Sequence, residues 1–201
     1  GIRGGSATVH FPIWHKEIED IIVLKNNKGT EDNRVRKLDY SVQLSKLFYE
    51  RFITNEKITL FSPHDVPGLY DSFGTESFDD LYKRYELDES IPKTQVDAQE
   101  LILNILKERA ETGRLYLMNI DHCNSHSSFI DKVNMSNLCQ EITLPTKPIT
   151  HIDDPDGEIA LCILSAINVG KINRLEELED LCDLSVRGLE ELIDYQGYPV
   201  K

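Results

Sequence analysis

No C-x-x-C pair occurs among the four cysteines, Cys123, Cys139, Cys162 and Cys182, which lie 16, 23 and 20 residues apart. That spacing excludes a zinc ribbon and a thioredoxin-type redox motif. No apolar run approaches the roughly 18 residues of a membrane-spanning helix, and no charged-then-apolar leader opens the chain. The expectation is a cytoplasmic chain with no membrane partner, whose thiols stay reduced. Basic residues are scarce: 22 Lys and Arg face 35 Asp and Glu, giving a net charge of −13 and a pI near 4.9. So acidic a surface repels phosphate backbones, which argues against a general nucleic-acid binder. Methionine is scarce too. Of only two, the earlier is Met118, and the first residue is Gly1. The expectation is an internal segment of a longer polypeptide, holding part of an active site.

What is present suffices for a core. The 201 residues, 40% hydrophobic and 28% charged, are one domain's worth of chain. No internal repeat, low-complexity tract or linker interrupts them, so 1–201 reads as a single partial domain. The spacing predicts a helix from Trp14 to Lys25 and a second from Lys37 to Phe52. Ser62 to Gly68 is dense in turn residues. A short helix is expected near Phe78 to Tyr85, and a long one from Thr94 to Thr112 stopped by Gly113. Leu115 to Ile120 and Ile142 to Leu144 read as strands. The run Ile159 to Leu164 is apolar throughout, the mark of a strand buried on both faces of a parallel sheet. A last helix is capped by Asn173 and carries a leucine stripe from Leu175 to Leu192. Strands alternating with helices give the α/β class.

The sharpest chemical constellation is Asn137-Leu138-Cys139-Gln140-Glu141. In an extended segment, Asn137, Cys139 and Glu141 would share one face, and an amide, a thiol and a carboxyl there could bind a polyol, attack it and move its proton. Cys162, inside the apolar run, is either a small apolar filler or a redox thiol facing a pocket. Asp121-His122-Cys123-Asn124-Ser125-His126 has metal-like content, but its Asn and Ser neighbours suggest a polar loop, and no fourth ligand sits at a defined spacing. Arg3, among three glycines, could meet a phosphate or a base, although no phosphate-loop signature surrounds it.

Taken together, these segments resemble the catalytic core of the large subunit of class I ribonucleotide reductase. The likeness runs from Ile2-Arg3-Gly4-Gly5-Ser6-Ala7-Thr8 through Leu60-Phe61-Ser62-Pro63-His64-Asp65-Val66-Pro67-Gly68 and Asn119-Ile120-Asp121-His122-Cys123-Asn124. It continues through Ser136-Asn137-Leu138-Cys139-Gln140-Glu141-Ile142, Leu144-Pro145-Thr146-Lys147-Pro148 and Gly157-Glu158-Ile159-Ala160-Leu161-Cys162. Such long ordered matches are more specific than any one motif.

The resemblance implies part of a ten-stranded α/β barrel, with Cys139 on a loop through its centre. It also implies residue roles. Cys139 matches the cysteine that becomes a thiyl radical and takes hydrogen from C3′ of a ribonucleoside diphosphate. Glu141 matches the carboxylate that accepts the 3′-hydroxyl proton, and Asn137 the amide that binds the ribose hydroxyls. Cys162 matches one of two cysteines that deliver reducing equivalents, its partner lying upstream of Gly1 in relatives. Arg3 matches a loop arginine that relays the effector's identity to the substrate base.

No cofactor is expected to bind this segment itself. The parent would take ATP and deoxynucleotide effectors, a radical from a metal-containing small (beta) subunit, electrons from thioredoxin or glutaredoxin, and a homodimeric partner. A shielded radical needs an interior loop, and a desolvated Glu141 would suit proton exchange near neutral pH. The competing readings are a hydrolase or transferase with Cys139 as nucleophile and His122 or His126 as base, and an acidic interaction module presenting the leucine-rich last helix.

Overall fold

The computed structural model describes residues 5–160, 163–195 and 197. The chain divides into two compact units, Gly1–Pro145 and Thr146–Lys201. In chain order the first holds β1 (Thr8–Pro12), α1 (Ile18–Ile22), β2 (Asp39–Leu44), α2 (Lys46–Thr54), β3 (Lys57–Phe61) and α3 (Leu69–Ser72). It continues with α4 (Phe78–Leu87), β4 (Lys93–Asp97), α5 (Ala98–Thr112), β5 (Leu115–Asn119) and α6 (Ile120–Ser125).

Strands β1, β2 and β5 form a parallel sheet in the order β1-β2-β5. Its register pairs His10 with Ser41 and Ser41 with Tyr116. Parallel neighbours need a crossover that packs back onto the sheet. The chain supplies α1 in the first connection, and α2 to α5 with a separate antiparallel β3-β4 pair in the second. β2 is central, and all its residues after Asp39 are buried. Tyr40, Val42 and Leu44 point to one face with Phe11 and Leu115 and join the hydrophobic core. Ser41 and Gln43, on the opposite face, are polar and buried just as completely.

The stretch 37–52, expected to be one helix, is therefore a strand and a helix. Leu38, Val42, Leu44, Leu47, Phe48 and Phe52 mix the period of two with the period of 3.6, and the break falls at Ser45, whose backbone is extended. The helix expected over Trp14 to Lys25 shrinks to Ile18–Ile22, because Ile13 and Trp14 are buried in the turn that leaves β1. The helix expected from Thr94 begins at Ala98, behind a strand. Asp97 caps it by accepting from the Glu100 N–H at 2.9 Å. It ends as expected at Gly113, whose φ of 65° suits a residue without a Cβ. The short helix near Phe78 and the strand after Gly113 form as the spacing predicts. Ile142 to Leu144 does not form a strand.

Six aromatic rings consolidate the core beneath the sheet. Phe48 meets Phe73, Phe78 and Tyr82 with ring centroids 6.2, 6.0 and 5.5 Å apart, and Trp14 and Phe61 extend the cluster. Tyr82 is buried, and its hydroxyl accepts from the Thr59 N–H at 2.8 Å and donates to the Thr59 carbonyl at 2.6 Å. Burial pushes its pKa well above the usual phenol range. Beside it, Arg51 of α2 grips Glu86 of α4 with two parallel bonds of 2.6 Å and donates to the Lys57 carbonyl at 2.9 Å. The Thr59 hydroxyl donates to the same carboxylate at 2.6 Å. A forked pair of this kind ties two helices and a strand together with fixed geometry.

The second unit contains an isolated bridge between Lys147 and Glu158, reinforced by their ion pair at 2.6 Å, and α7 (Glu177–Tyr195). Within the expected strand Ile159 to Leu164, no described residue is in a strand, and Ile159 and Leu164 are 51% and 76% exposed. A doubly buried strand needs paired neighbours and two covering layers, and neither is provided for these residues within the described part of this chain. Helix α7 starts at Glu177 rather than next to Asn173, and none of its residues is buried: Leu181, Leu184 and Leu192 are exposed and Leu178 and Leu189 half-buried. Among the described residues, no helix is long and apolar enough to cross a membrane.

Removing one partner of the forked pair leaves a charge stranded in a nearly dry site. Glu86→Ala should destabilise the fold by roughly 3 kcal/mol. Urea unfolding followed by Trp14 fluorescence measures this, and a loss below about 1 kcal/mol would contradict the role given to the pair.

Candidate active-site loop

The polar face of the sheet holds a segment of chain in place of a second layer of helices. Gln43 donates through Nε2 to the Asn134 carbonyl at 2.6 Å, and His10 Nε2 donates to the Ser136 carbonyl at 3.0 Å. Thr8 Oγ1 donates to the Leu138 carbonyl at 2.5 Å. Residues 134–138 thus run against the strand direction, from the C-terminal part of β2 towards the start of β1. The chain then reverses. Gln140 N–H donates to the Asn137 carbonyl at 3.2 Å, closing a tight turn, and the side chain of Gln140 returns to the sheet. Its Oε1 accepts from Ser41 Oγ at 2.5 Å, and its Nε2 donates to the Leu117 carbonyl at 2.6 Å.

This geometry corrects the extended reading of residues 137–141. Gln140 adopts a φ of 65°, in the left-handed region that costs an L-residue about 1–2 kcal/mol, so the alternation of faces is broken inside the motif. Asn137 builds the turn: its Oδ1 accepts from the Ile142 N–H at 3.1 Å and lies 3.2 Å from Ser136 Oγ. Among the described residues, no hydrogen bond engages Asn137 Nδ2. Ser136 Oγ also donates to the Ile142 carbonyl at 2.5 Å. Cys139 sits at the turn and is exposed, as is Glu141. The interior thiol and the desolvated carboxylate expected from the sequence are therefore not produced within this chain. Arg3 and Cys162 lie outside the described residues.

His10 is the titratable group beneath the loop. Its Nε2 must carry the proton to donate to Ser136, which leaves Nδ1 a buried atom without a partner among the described residues. Burial lowers the imidazole pKa, and the bond to Ser136 offsets part of that shift. Next to the turn lies a cavity of about 440 Å³ lined by Met118, Asn119, His122, Cys123, His126 and Gln140, among others. Here Asp121 to Ser125 form part of a short helix, not the expected loop. The rings of His122 and His126 lie edge to face at 5.6 Å, and His126 Nδ1 faces the His122 carbonyl at 3.1 Å. Burial, with help from Asp121, raises the Cys123 thiol above its ordinary pKa, the opposite of an activated nucleophile. No hydrogen bond joins Cys139 to either histidine, and among the described residues no three metal-ligating side chains converge.

A thiol on a turn that is strung across the face of a parallel α/β sheet is one half of the decisive observation. The other is a match of residues 1–201 to the model of the ribonucleotide reductase barrel domain. The chain belongs to that family. It is 58% identical over 205 residues to the ribonucleoside-diphosphate reductase subunit alpha of Haemophilus influenzae, and 56% identical to that of Buchnera aphidicola from Schizaphis graminum. Against the subunit alpha of enterobacteria phage T4 it is 45% identical over 208 residues. Each alignment covers 100% of this chain and 27% of the relative, so the chain spans about a quarter of their length. The three parallel strands are accordingly a part of the reductase α/β barrel, with the sheet left open here.

The residues that suspend the loop, Thr8, His10, Ser41, Gln43 and Gln140, were not singled out from sequence as parts of the site. The available signal was polarity in the wrong place: Ser41 and Gln43 alternate with Tyr40, Val42 and Leu44 in a strand buried on both sides.

The lowered pKa of His10 has a definite sign. The folded protein binds its proton less tightly than the unfolded chain, whose imidazole titrates near 6.5, so this contribution is complete above about pH 6.5 and is lost as the pH falls through the folded value. His15, also lowered chiefly by burial, acts in the same direction. The urea midpoint should fall as the pH is lowered from 7.5 to 5.5, and His10→Gln should flatten that fall. An unchanged slope in the variant would refute it.

Proposed function

We propose that the full-length protein carrying this segment reduces ribonucleoside diphosphates to deoxyribonucleoside diphosphates, supplying DNA precursors, with Cys139 as the radical-bearing thiol. The observation that carries the reading is the suspension of the Cys139 turn across the polar sheet face by five side chains. A group that must abstract an atom repeatedly and return it needs a fixed position, and a turn hydrogen-bonded to three parallel strands has one.

In this reading the Cys139 sulfur radical takes a hydrogen atom from C3′ of the ribose and becomes a thiol. Glu141 accepts the 3′-hydroxyl proton, and Nδ2 of Asn137 donates to the ribose hydroxyls. The 2′-hydroxyl leaves as water. Cys162 and a second cysteine provide two electrons and two protons and close into a disulfide, and Cys139 returns its hydrogen to C3′. Overall, ribonucleotide and dithiol become deoxyribonucleotide, disulfide and water. An external dithiol protein, thioredoxin or glutaredoxin, restores the pair.

A small subunit carrying a metal centre generates the radical, and Arg3 couples deoxynucleotide and ATP effectors to base choice. The whole segment belongs to one ten-stranded barrel in a homodimeric cytoplasmic enzyme. A sulfur radical has to be kept from water and stray reductants, so the cover over the exposed Cys139 comes from parts of the parent outside this segment.

The test uses the full-length protein with its radical-generating subunit. Cys139→Ser should bind ribonucleoside diphosphate normally and turn over none of it, while Cys162→Ser should complete at most one abortive turnover per site with a dithiol reductant. Sustained turnover by either variant would overturn the role assigned to that cysteine.

A further inference from the structure

Gln140 follows the thiol directly, and nothing in the chemistry above uses it. Its carboxamide is nonetheless engaged at both ends. Oε1 accepts from the hydroxyl of Ser41, a fully buried residue of the central strand, and Nε2 donates to the Leu117 carbonyl of the neighbouring strand. The same residue holds the left-handed φ of 65° that reverses the chain. A non-glycine residue keeps such a backbone when its surroundings over-determine it, and here the surroundings are two hydrogen bonds made by its own side chain.

We infer that Gln140 is a positioning residue for the Cys139 thiol, its carboxamide pinning the turn to β2 and β5 so that the preceding sulfur has one place to stand. This rests on the radical-thiol reading of Cys139. The other contacts to the loop fall on the carbonyls of Asn134, Ser136 and Leu138, all before the thiol. Among the described residues, Gln140 supplies the anchor to the sheet that follows the thiol, and without it the sheet holds the turn only through residues that precede the sulfur. The glutamine carboxamide offers an acceptor and a donor on one planar group, with the reach to bridge a serine hydroxyl on one strand and a carbonyl on the next.

The experiment is steady-state kinetics of Gln140→Gly in the full-length protein with its radical-generating subunit. Glycine accepts the φ of 65°, so the turn can still form while both bonds are lost. The expected result is a fall in kcat of roughly tenfold to a hundredfold with KM for the ribonucleoside diphosphate changed less than about twofold. Ser41→Ala, which removes one of the two bonds and leaves Gln140 in place, should give a smaller loss of the same kind. The double variant should be no slower than Gln140→Gly alone, because both changes break one linkage. An unchanged kcat in Gln140→Gly, a loss confined to KM, or losses that multiply in the double variant would overturn the inference. Cys139→Ser run alongside separates the two levels. Turnover in that variant removes the radical reading, whereas an inert Cys139→Ser beside a full-rate Gln140→Gly removes the positioning role alone.

Discussion

The arrangement depends on β2 being buried on both faces while only one of them is apolar. Val42 and Leu44 satisfy the core by packing, but Ser41 and Gln43 stand in an equally dry place and must find hydrogen-bond partners. The backbone of a second layer of helices would offer them few, since a helix interior spends its own N–H and carbonyl groups. An irregular segment, with unspent carbonyls at 134, 136 and 138, offers several. The polarity of one strand face and the irregularity of the loop above it are thus two sides of the same requirement.

This gives the loop an unusual kind of order for a segment without secondary structure. Its carbonyls are taken by side chains from β1 and β2, its turn is closed by Asn137, and its far end is pinned by Gln140. The strands are held in turn by the aromatic core and by the Arg51–Glu86 fork on the opposite side. Precision at Cys139 is therefore inherited from packing well away from it. The reaction proposed for the thiol draws on that inheritance, because hydrogen transfer tolerates little error in distance.

The legible parts of the sequence were those where one period ran unmixed and ended on a clear stop. The helix after Phe78, the end of the long helix at Gly113 and the strand after it are of this kind. Residues 37–52 were misread because a strand and a helix abut at Ser45, and their apolar positions can be threaded onto a single helical stripe. The run at Ile159 has the composition of a buried strand, but composition states what a segment needs, and its described residues do not find it within this chain. In the site, the ordered motif pointed to the family, while the shape of the turn was not readable from it. Asn137 favours turns because its side chain can imitate a backbone carbonyl, and that preference outweighed the alternation read from residues 137–141. The support from His10, Ser41 and Gln43 depends on strand pairing between positions more than thirty residues apart, which no local pattern carries.

A small clasp at Asn124 has a consequence for how such a barrel can vary. Its Oδ1 accepts from the Val133 N–H at 2.9 Å and its Nδ2 donates to the Val133 carbonyl at 3.0 Å, so one carboxamide imitates the edge of a strand for a single residue. Gly74 makes room for it, since a Cβ there would come within 2.9 Å of that same Nδ2. The excursion between 125 and 132, with Phe129 and Ile130 turned outward, is closed off at its neck. A change of length confined to 126–131 should leave the clasp, the Lys132 contacts to the Tyr70 and Asp71 carbonyls and the start of the loop at Asn134 in place. The neck thus separates the outward-turned Phe129 and Ile130 from the turn that carries Cys139.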